Sequence, residues 1–240
     1  EREPGTEPTP TELQETIEQA LTLVARSPEP IAILGAGRTD AGVHARGMVA
    51  HVDLPMSPDE ARQLIYRTDR YLPHDIALYD IRPVREEAHA RFSATSRTYR
   101  YYVTLRKDPF QEARMLRLYF PLDFDRMNEA AGRLKDFTDF TSFSKLHTDV
   151  KTNNCRVTEA YWQAGAEDGQ WIFTITADRF LRNMVRAVVG TLFQVGKGRL
   201  SVEDFAAVVE AKDRGRAGSS APGHALYLEA VGYPEELYLD

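Results

Sequence analysis

Cysteine and long apolar runs are what this sequence lacks most. Cys155 is the only cysteine among 240 residues, so no internal disulfide can form, and a reducing, cytoplasmic compartment is expected. No run of about 18 apolar residues occurs, and no charged-then-apolar leader is visible, so neither a membrane span nor a secretion signal is expected. Hydrophobic residues make up 42% and charged residues 28%, which is typical of a globular protein and excludes disordered, collagen-like or disulfide-stapled chains.

Positive charge is in deficit over the whole chain but is concentrated in two segments. The formal net charge is −6, which by itself argues mildly against a nucleic-acid partner. Residues 82–117 nevertheless carry nine Lys or Arg against four acids, and residues 178–199 carry five against one. If these segments fold together, an acidic protein would hold a basic cleft suited to phosphates. Scattered, solvated charge is the alternative interpretation.

Metal-ligand clusters and the common nucleotide and nucleophile motifs are also missing. The six histidines are dispersed and no Cys-x-x-Cys pair exists, so no metal site is expected. The sequence has neither a Gly-x-Ser-x-Gly elbow nor a Walker loop.

Helix-start signals and apolar periodicity predict an α+β fold. N-cap patterns at Thr9, Ser57 and Ser201 precede predicted helices that end near residues 26, 71 and 212. Two more helices are predicted at 125–134 and 180–195. Strands are predicted at 31–34, 48–54, 76–84, 98–105, 116–120, 157–163, 171–177 and 226–231. Because strands and helices mix without strict alternation, we expect helices packed on a mostly antiparallel sheet.

The glycine-rich stretch from Gly35 to Ala45 is the most informative part of the chain. It follows a predicted strand, so a dinucleotide-binding loop has to be considered. That fingerprint requires a third glycine at the sixth position and a following helix, whereas Asp40 occupies this position and a strand is predicted next. A plain turn is the other interpretation, since Asp and Gly both favour turns.

The string Arg38-Thr-Asp-Ala-Gly-Val-His44 resembles the signature of the tRNA pseudouridine synthase A family. Four more blocks agree with that family in order, namely 90–101, 139–143, 180–190 and 226–234. Together they span nearly the whole chain, so a chance match is negligible. Two departures are noted. The sequence shows neither the Tyr-Asp-Gly nor the Gly-Trp-Gln of the family's usual first strand, so either it is incomplete or the protein lacks that strand, and Ala225 stands where the family usually has glycine.

The resemblance implies an isomerase that converts uridines at positions 38 to 40 of the tRNA anticodon arm to pseudouridine. It also implies two ferredoxin-like halves with the active-site cleft between them. Residues 1–92 would carry the catalytic loop, and residues 93–240 would complete the RNA-binding cleft. A cytoplasmic homodimer with tRNA as its partner is expected, without a membrane, metal or small-molecule cofactor.

The resemblance also assigns the site residues. Asp40 would be the catalytic carboxylate at the sugar–base junction, Arg186 its ionic partner, and Tyr99 the residue that packs against the target uracil. Whether Asp40 attacks C1′, adds to C6 or takes a ribose proton is left open. The substrate-binding residues would be Arg38, Thr39, Gly42, His44, Arg91, Arg97, Arg100, Arg182 and Asn183. Among these, Arg38 would either occupy the space that the flipped uridine vacates or hold the flipped conformation, and His44 is interpreted more as loop structure than as a catalyst.

Two other functions remain open on the sequence. A non-catalytic RNA-binding module or chaperone on the same scaffold is supported only by the missing first strand. A nucleotide-dependent oxidoreductase is suggested only by Gly35-Ala36-Gly37.

Overall fold

A computed structural model of the chain describes residues 9–145 and 150–240. These residues form two compact units. The first contains the described residues up to Gly42, together with Met48–Ala94 and Tyr233–Asp240, and the second contains Val43–Gly47 and Thr95–Gly232. The division into functional halves at 1–92 and 93–240 stays a prediction.

The described residues form five α-helices and eight strands. The helices are α1 (Pro10–Ala25), α2 (Pro58–Asp69), α3 (Phe124–Arg133), α4 (Met184–Gly196) and α5 (Val202–Glu210). The strands are β1 (Leu34–Gly35), β2 (His44–Ala45), β3 (Ala50–His51), β4 (Ser96–Thr104), β5 (Leu116–Arg117), β6 (Val157–Ala164), β7 (Gln170–Ala177) and β8 (Leu226–Gly232). Short 3₁₀ turns lie at Leu134–Asp136, Thr141–Phe143, Arg214–Arg216, Gly223–Ala225 and Glu235–Leu237. No helix among the described residues is long and apolar enough to cross a membrane.

The three predicted capping boxes are confirmed. The side chains of Thr9, Ser57 and Ser201 each accept a hydrogen bond from the backbone N–H three residues on, and the carboxylate at that position accepts one from the backbone N–H of the cap residue. Each pair satisfies two helix-end donors that would otherwise lack a partner. Local sequence therefore sets where α1, α2 and α5 begin.

The strand predicted at 76–84 is wrong. Among the residues that the structure describes, Val84 forms a bridge to Tyr238, and the rest of the segment pairs with no strand. Its backbone is held by carboxylates instead, since Leu78 N–H donates to Asp69 Oδ1 at 2.7 Å and Ile81 N–H donates to Asp80 Oδ1 at 2.8 Å. An apolar run becomes a strand only where a neighbouring strand supplies its hydrogen bonds.

The second unit is built on a six-stranded sheet with the order β2-β8-β4-β7-β6, and β5 pairs with one end of β4. The ladders β4–β7, β4–β8 and β6–β7 are antiparallel, whereas β2–β8 and β4–β5 are parallel. The predicted hairpin of β6 and β7 is confirmed. A mostly antiparallel sheet with helices against it confirms the α+β class. That both halves are ferredoxin-like stays a prediction.

The core of the second unit lies between this sheet and helices α3, α4 and α5. Tyr101 and Val103 on β4 are fully buried there, as alternation along a strand predicts. Helix α4 is buried around most of its circumference, which matches its apolar composition. The predicted start of this helix at residue 180 is wrong, because Asn183 adopts a left-handed conformation (φ 66°) and α4 begins at Met184.

Candidate active site

The loop that carries Asp40 leaves the first unit's two-stranded ladder. β1 and β3 pair antiparallel, and the Ala36 N–H donates to the Val49 carbonyl at 2.8 Å. Within the loop Arg38 is exposed, whereas Thr39 and Asp40 are half-buried. Gly42 has φ 78°, a conformation that glycine adopts without strain. The short strand β2 follows this loop rather than a helix, so the helix N-terminus that a dinucleotide-binding loop needs is missing here.

The downstream end of the same motif is anchored in the second unit. β2 pairs parallel with β8, in the register His44–Tyr227 and Ala45–Leu228. His44 Nε2 lies 3.0 Å from the His224 carbonyl oxygen, and the His44 ring stacks on Tyr227 with 4.7 Å between centroids. These contacts give His44 a structural part in the loop, and its contact with substrate stays a prediction.

Tyr99 lies on β4, in the same row of the sheet as the end of the motif. Leu228 of β8 pairs with Ala45 on one side and with Tyr99 on the other. The register shifts here, because Thr98 pairs with Ala230 while Tyr99 pairs with Leu228, so Glu229 is the extra residue of a bulge. Bulges are frequent next to active sites, where they re-aim side chains.

The Tyr99 ring is half-buried at the margin of the core. It packs edge-on against Phe180 with 5.2 Å between ring centroids. Phe180 lies in the turn that precedes α4. The predicted stacking surface for a base therefore lies beside the entry of that helix.

Arg186 is held on the first turns of α4 by the segment 217–221. Its Nε donates to the Ala221 carbonyl at 2.8 Å, and the Ala221 N–H donates to the Arg186 carbonyl at 2.9 Å. The positive charge of Arg186 also acts on buried Tyr101. Burial raises the pKa of the Tyr101 hydroxyl, and the Arg186 charge opposes that rise.

The segment 217–221, which the sequence analysis did not single out, holds the predicted site residues Asn183 and Arg186. Asn183 Nδ2 donates to Ser220 Oγ at 2.6 Å, and the Arg214 guanidinium donates to Gly218 O and to Ser220 Oγ. A methyl group at Gly190 would overlap the carbonyl oxygen of Ser219. The signal was present, because a glycine inside an apolar helix points to a close backbone approach.

A group of arginines lies at one end of the sheet, where β4 and β6 begin and β7 ends, near the start of α4. Arg97 Nη1 donates to the Asp178 carbonyl at 2.8 Å, and Arg179 Nη1 donates to the carbonyls of Thr152 and Asn154. The Asp178 carboxylate accepts the backbone N–H groups of Arg156 and Arg179. Two backbone N–H groups therefore hold the Asp178 carboxylate in place. Arg97 and Arg182 are predicted substrate-binding residues, whereas the sequence analysis singled out neither Arg156 nor Arg179.

Arg100 and Arg91 lie apart from this group. The β4–β7 register is continuous, so Arg100 faces the side of the sheet opposite Tyr99. It is half-buried there, on the same face of β4 as Tyr102. Arg91 belongs to the first unit and is exposed. Its guanidinium carbon lies 5.8 Å from the Phe92 ring centroid. The predicted substrate contacts of both residues stay predictions.

The family model described as tRNA pseudouridine synthase matches residues 134–234. A protein named tRNA pseudouridine synthase A from Porphyromonas gingivalis is 60% identical over 235 residues, which cover 98% of this chain and 92% of that protein. Proteins of the same name from Parabacteroides distasonis and Bacillus subtilis are 58% and 39% identical; the alignments cover 94% and 92% of this chain, and 88% and 89% of those proteins. This chain belongs to the tRNA pseudouridine synthase A family.

The tRNA pseudouridine synthase A family assignment covers both units. The region matched by the family model includes Arg182, Asn183 and Arg186 but neither Asp40 nor Tyr99. The alignment with the P. gingivalis member of the family extends across the latter two positions as well. Within residues 9–145 and 150–240, no three His, Cys, Asp or Glu side chains are grouped as a metal site. The expectation that the reaction needs no metal or cofactor stays a prediction.

Proposed function

We propose that this protein isomerises uridine to pseudouridine at positions 38 to 40 in the anticodon arm of tRNA, with Asp40 as the catalytic carboxylate. One observation carries the proposal. Ala45, at the end of the motif that contains Asp40, lies in one sheet row with Leu228 and Tyr99. A loop bearing a carboxylate and a strand bearing a half-buried tyrosine are thus joined through a single neighbouring strand. The family names of the relatives support the substrate class.

The reaction needs a carboxylate and an unstacked base rather than a redox group. The C1′–N1 glycosidic bond breaks, the uracil turns, C5 bonds to C1′, and the proton on C5 leaves while one is gained at N1. Asp40 would act at the sugar–base junction, by attack at C1′, addition to C6 or removal of a ribose proton. Arg186 would be the ionic partner of Asp40 in this mechanism.

The other residues would bind and expose the substrate. A stacked uridine is out of reach of the carboxylate, so it has to be extruded at a cost of a few kcal/mol. Tyr99 would pack against the extruded uracil, with its hydroxyl available for the proton on C5. Arg38 would hold the flipped conformation. Arg97 and Arg182 would contact phosphates, which set the register of the RNA without reading its sequence.

Two further properties belong to this proposal. The active protein would be a cytoplasmic homodimer that binds each tRNA across both subunits. No cofactor would take part.

The deciding experiment is tritium release from tRNA labelled at C5 of uridine. Isomerisation replaces the C5–H bond, so release reports the reaction directly. The wild type is expected to release tritium, and Asp40→Ala is expected to release none while tRNA affinity stays within about threefold. Asp53→Asn, which changes an exposed aspartate of the same unit, is the matched control and should behave like the wild type.

The outcomes separate the alternatives. Retained release in Asp40→Ala would remove the catalytic assignment. Binding of tRNA without release by the wild type would support a non-catalytic RNA-binding module. Chemical derivatisation of pseudouridine followed by reverse transcription maps the modified positions, and products outside positions 38 to 40 would contradict the proposed site.

A further inference from the structure

Arg46 lies six residues after Asp40 and directly follows β2. Its guanidinium carbon lies 4.9 Å from the Tyr227 ring centroid and 5.4 Å from that of Tyr102. Its Nη1 lies 3.1 Å from the Tyr102 hydroxyl and 3.4 Å from Glu229 Oε1. We call Arg46, Tyr102, Tyr227 and Glu229 the Arg46 cluster.

The Arg46 cluster is internally complementary. The Glu229 side chain is only 14% exposed, so its carboxylate needs a nearby cation and a hydrogen-bond donor. Arg46 supplies the cation, and the Tyr102 hydroxyl donates to Glu229 Oε1 at 2.8 Å. Burial and the hydrogen bond to Glu229 both raise the pKa of Tyr102, which keeps this hydroxyl protonated and able to donate.

The backbone at Arg46 and Gly47 packs closely against the bulge of β8. The N–H groups of Arg46 and Gly47 lie 2.8 Å and 3.2 Å from the Leu228 carbonyl oxygen. A methyl group at Gly47 would overlap the carbonyl oxygen of Glu229, so only glycine allows this approach. Leu228 is the residue that pairs with Tyr99 on the other side. The cluster thus fastens the end of the motif to the strand next to Tyr99.

We propose that Arg46 is a positioning residue for the reaction, which acts by fixing the register of β2 on β8 and thereby the end of the loop that carries Asp40. The inference rests on the proposed function. Arg46 does not touch the uridine in this role. A direct phosphate contact is disfavoured, because the carboxylate of Glu229 already faces the guanidinium and would repel a phosphate. Misplacing a catalytic group by about 1 Å lowers turnover by up to 100-fold, so a loosened loop end is costly.

The test separates the chemical step from binding. Arg46→Ala is expected to lower the single-turnover rate of tritium release by about 10- to 100-fold, with the tRNA Kd unchanged within about threefold. Arg46→Lys keeps a cation between the rings and the carboxylate and is expected to restore most of the rate. Tyr102→Phe removes only the hydroxyl and is expected to give a smaller loss. The matched control is Arg126→Ala, which truncates another exposed, ion-paired arginine of the same unit.

When the wild type is active, two results would overturn the proposal. A weakened Kd with an intact rate would make Arg46 an RNA contact, and an unchanged rate and Kd would leave it no part in the reaction. If the wild type releases no tritium, the proposed function fails, and backbone hydrogen exchange over residues 41–47 then tests the anchoring alone. Faster exchange in Arg46→Ala than in Arg126→Ala would support anchoring, whereas equal exchange would overturn it.

Discussion

Arg186 and Ala221 are joined by two hydrogen bonds that run in opposite directions. The Arg186 side chain donates through Nε at 2.8 Å, and its carbonyl accepts from the Ala221 N–H at 2.9 Å. The side chain is therefore oriented by the backbone of a segment 35 residues away. A long, flexible side chain loses less entropy on binding when it is already held in one orientation.

If Arg186 supports the reaction electrostatically as proposed, Arg186→Ala is expected to lower the single-turnover rate of tritium release by about 100-fold or more. Arg186→Lys keeps the charge but cannot reproduce the Nε bond, so it should recover only part of the rate. Urea unfolding shows whether either variant is folded. A rate within about threefold of the wild type in Arg186→Ala would contradict the assignment.

Gly190→Ala is expected to destabilise the protein by at least about 2 kcal/mol, because its methyl group would overlap the Ser219 carbonyl oxygen. Displacing that segment should also lower turnover, since the same segment holds Arg186. Gly132→Ala in α3 is the control, because a methyl group there meets no atom within 4 Å and should stabilise the helix by up to about 1 kcal/mol. Urea unfolding at 25 °C compares the free energies of unfolding of the two variants. Equal values would show that the close approach of Gly190 to the Ser219 carbonyl is unimportant for stability.

Affinity for tRNA is expected to fall steeply with salt. The logarithm of the binding constant should change by about −0.7 to −0.9 per phosphate contact for each unit of log salt concentration. Arg182→Ala and Arg97→Ala should each reduce this slope by about one contact. Arg100→Ala should reduce it less, because Arg100 is half-buried on the other face of β4. A salt-independent Kd in filter binding would exclude a phosphate-binding surface.

Stability is expected to decline at alkaline pH. Burial raises the pKa of the Cys155 thiol from 9.0 to about 11, and burial also raises that of Tyr101 against the opposing charge of Arg186. Because the pKa of Cys155 is higher in the folded state than in the unfolded state, the neutral thiol favours the folded state. This contribution to the free energy of unfolding is complete below about pH 9 and is lost as the pH rises to about 11. Cys155→Ala should show a shallower decline in urea midpoint over this range. A decline that is the same in both proteins would assign the effect to other groups.

The starts of the helices and the faces of the strands could be read from local sequence. Thr9, Ser57 and Ser201 begin their helices with hydrogen bonds that span only three residues, so no distant contact is needed to predict them. Tyr101 and Val103 are buried on the same face of β4 because side chains alternate along a strand. These features depend on neighbours in the chain.

The remaining features depend on partners distant in the chain. Residues 76–84 have a strand-like composition, but within the described part of the chain no strand pairs with residues 76–83, and the carboxylates of Asp69 and Asp80 accept some of their backbone hydrogen bonds. The attachment of β2 to β8 joins residues 44 and 227, and that of Arg186 to Ala221 passes over a whole helix. By itself the sequence determined the family motif, the capping boxes and the α+β class, all of which are local patterns. Only the tertiary structure decided which backbone holds Arg186 and which strand receives the end of the Asp40 loop, because hydrogen bonds between distant segments form only once the chain has folded.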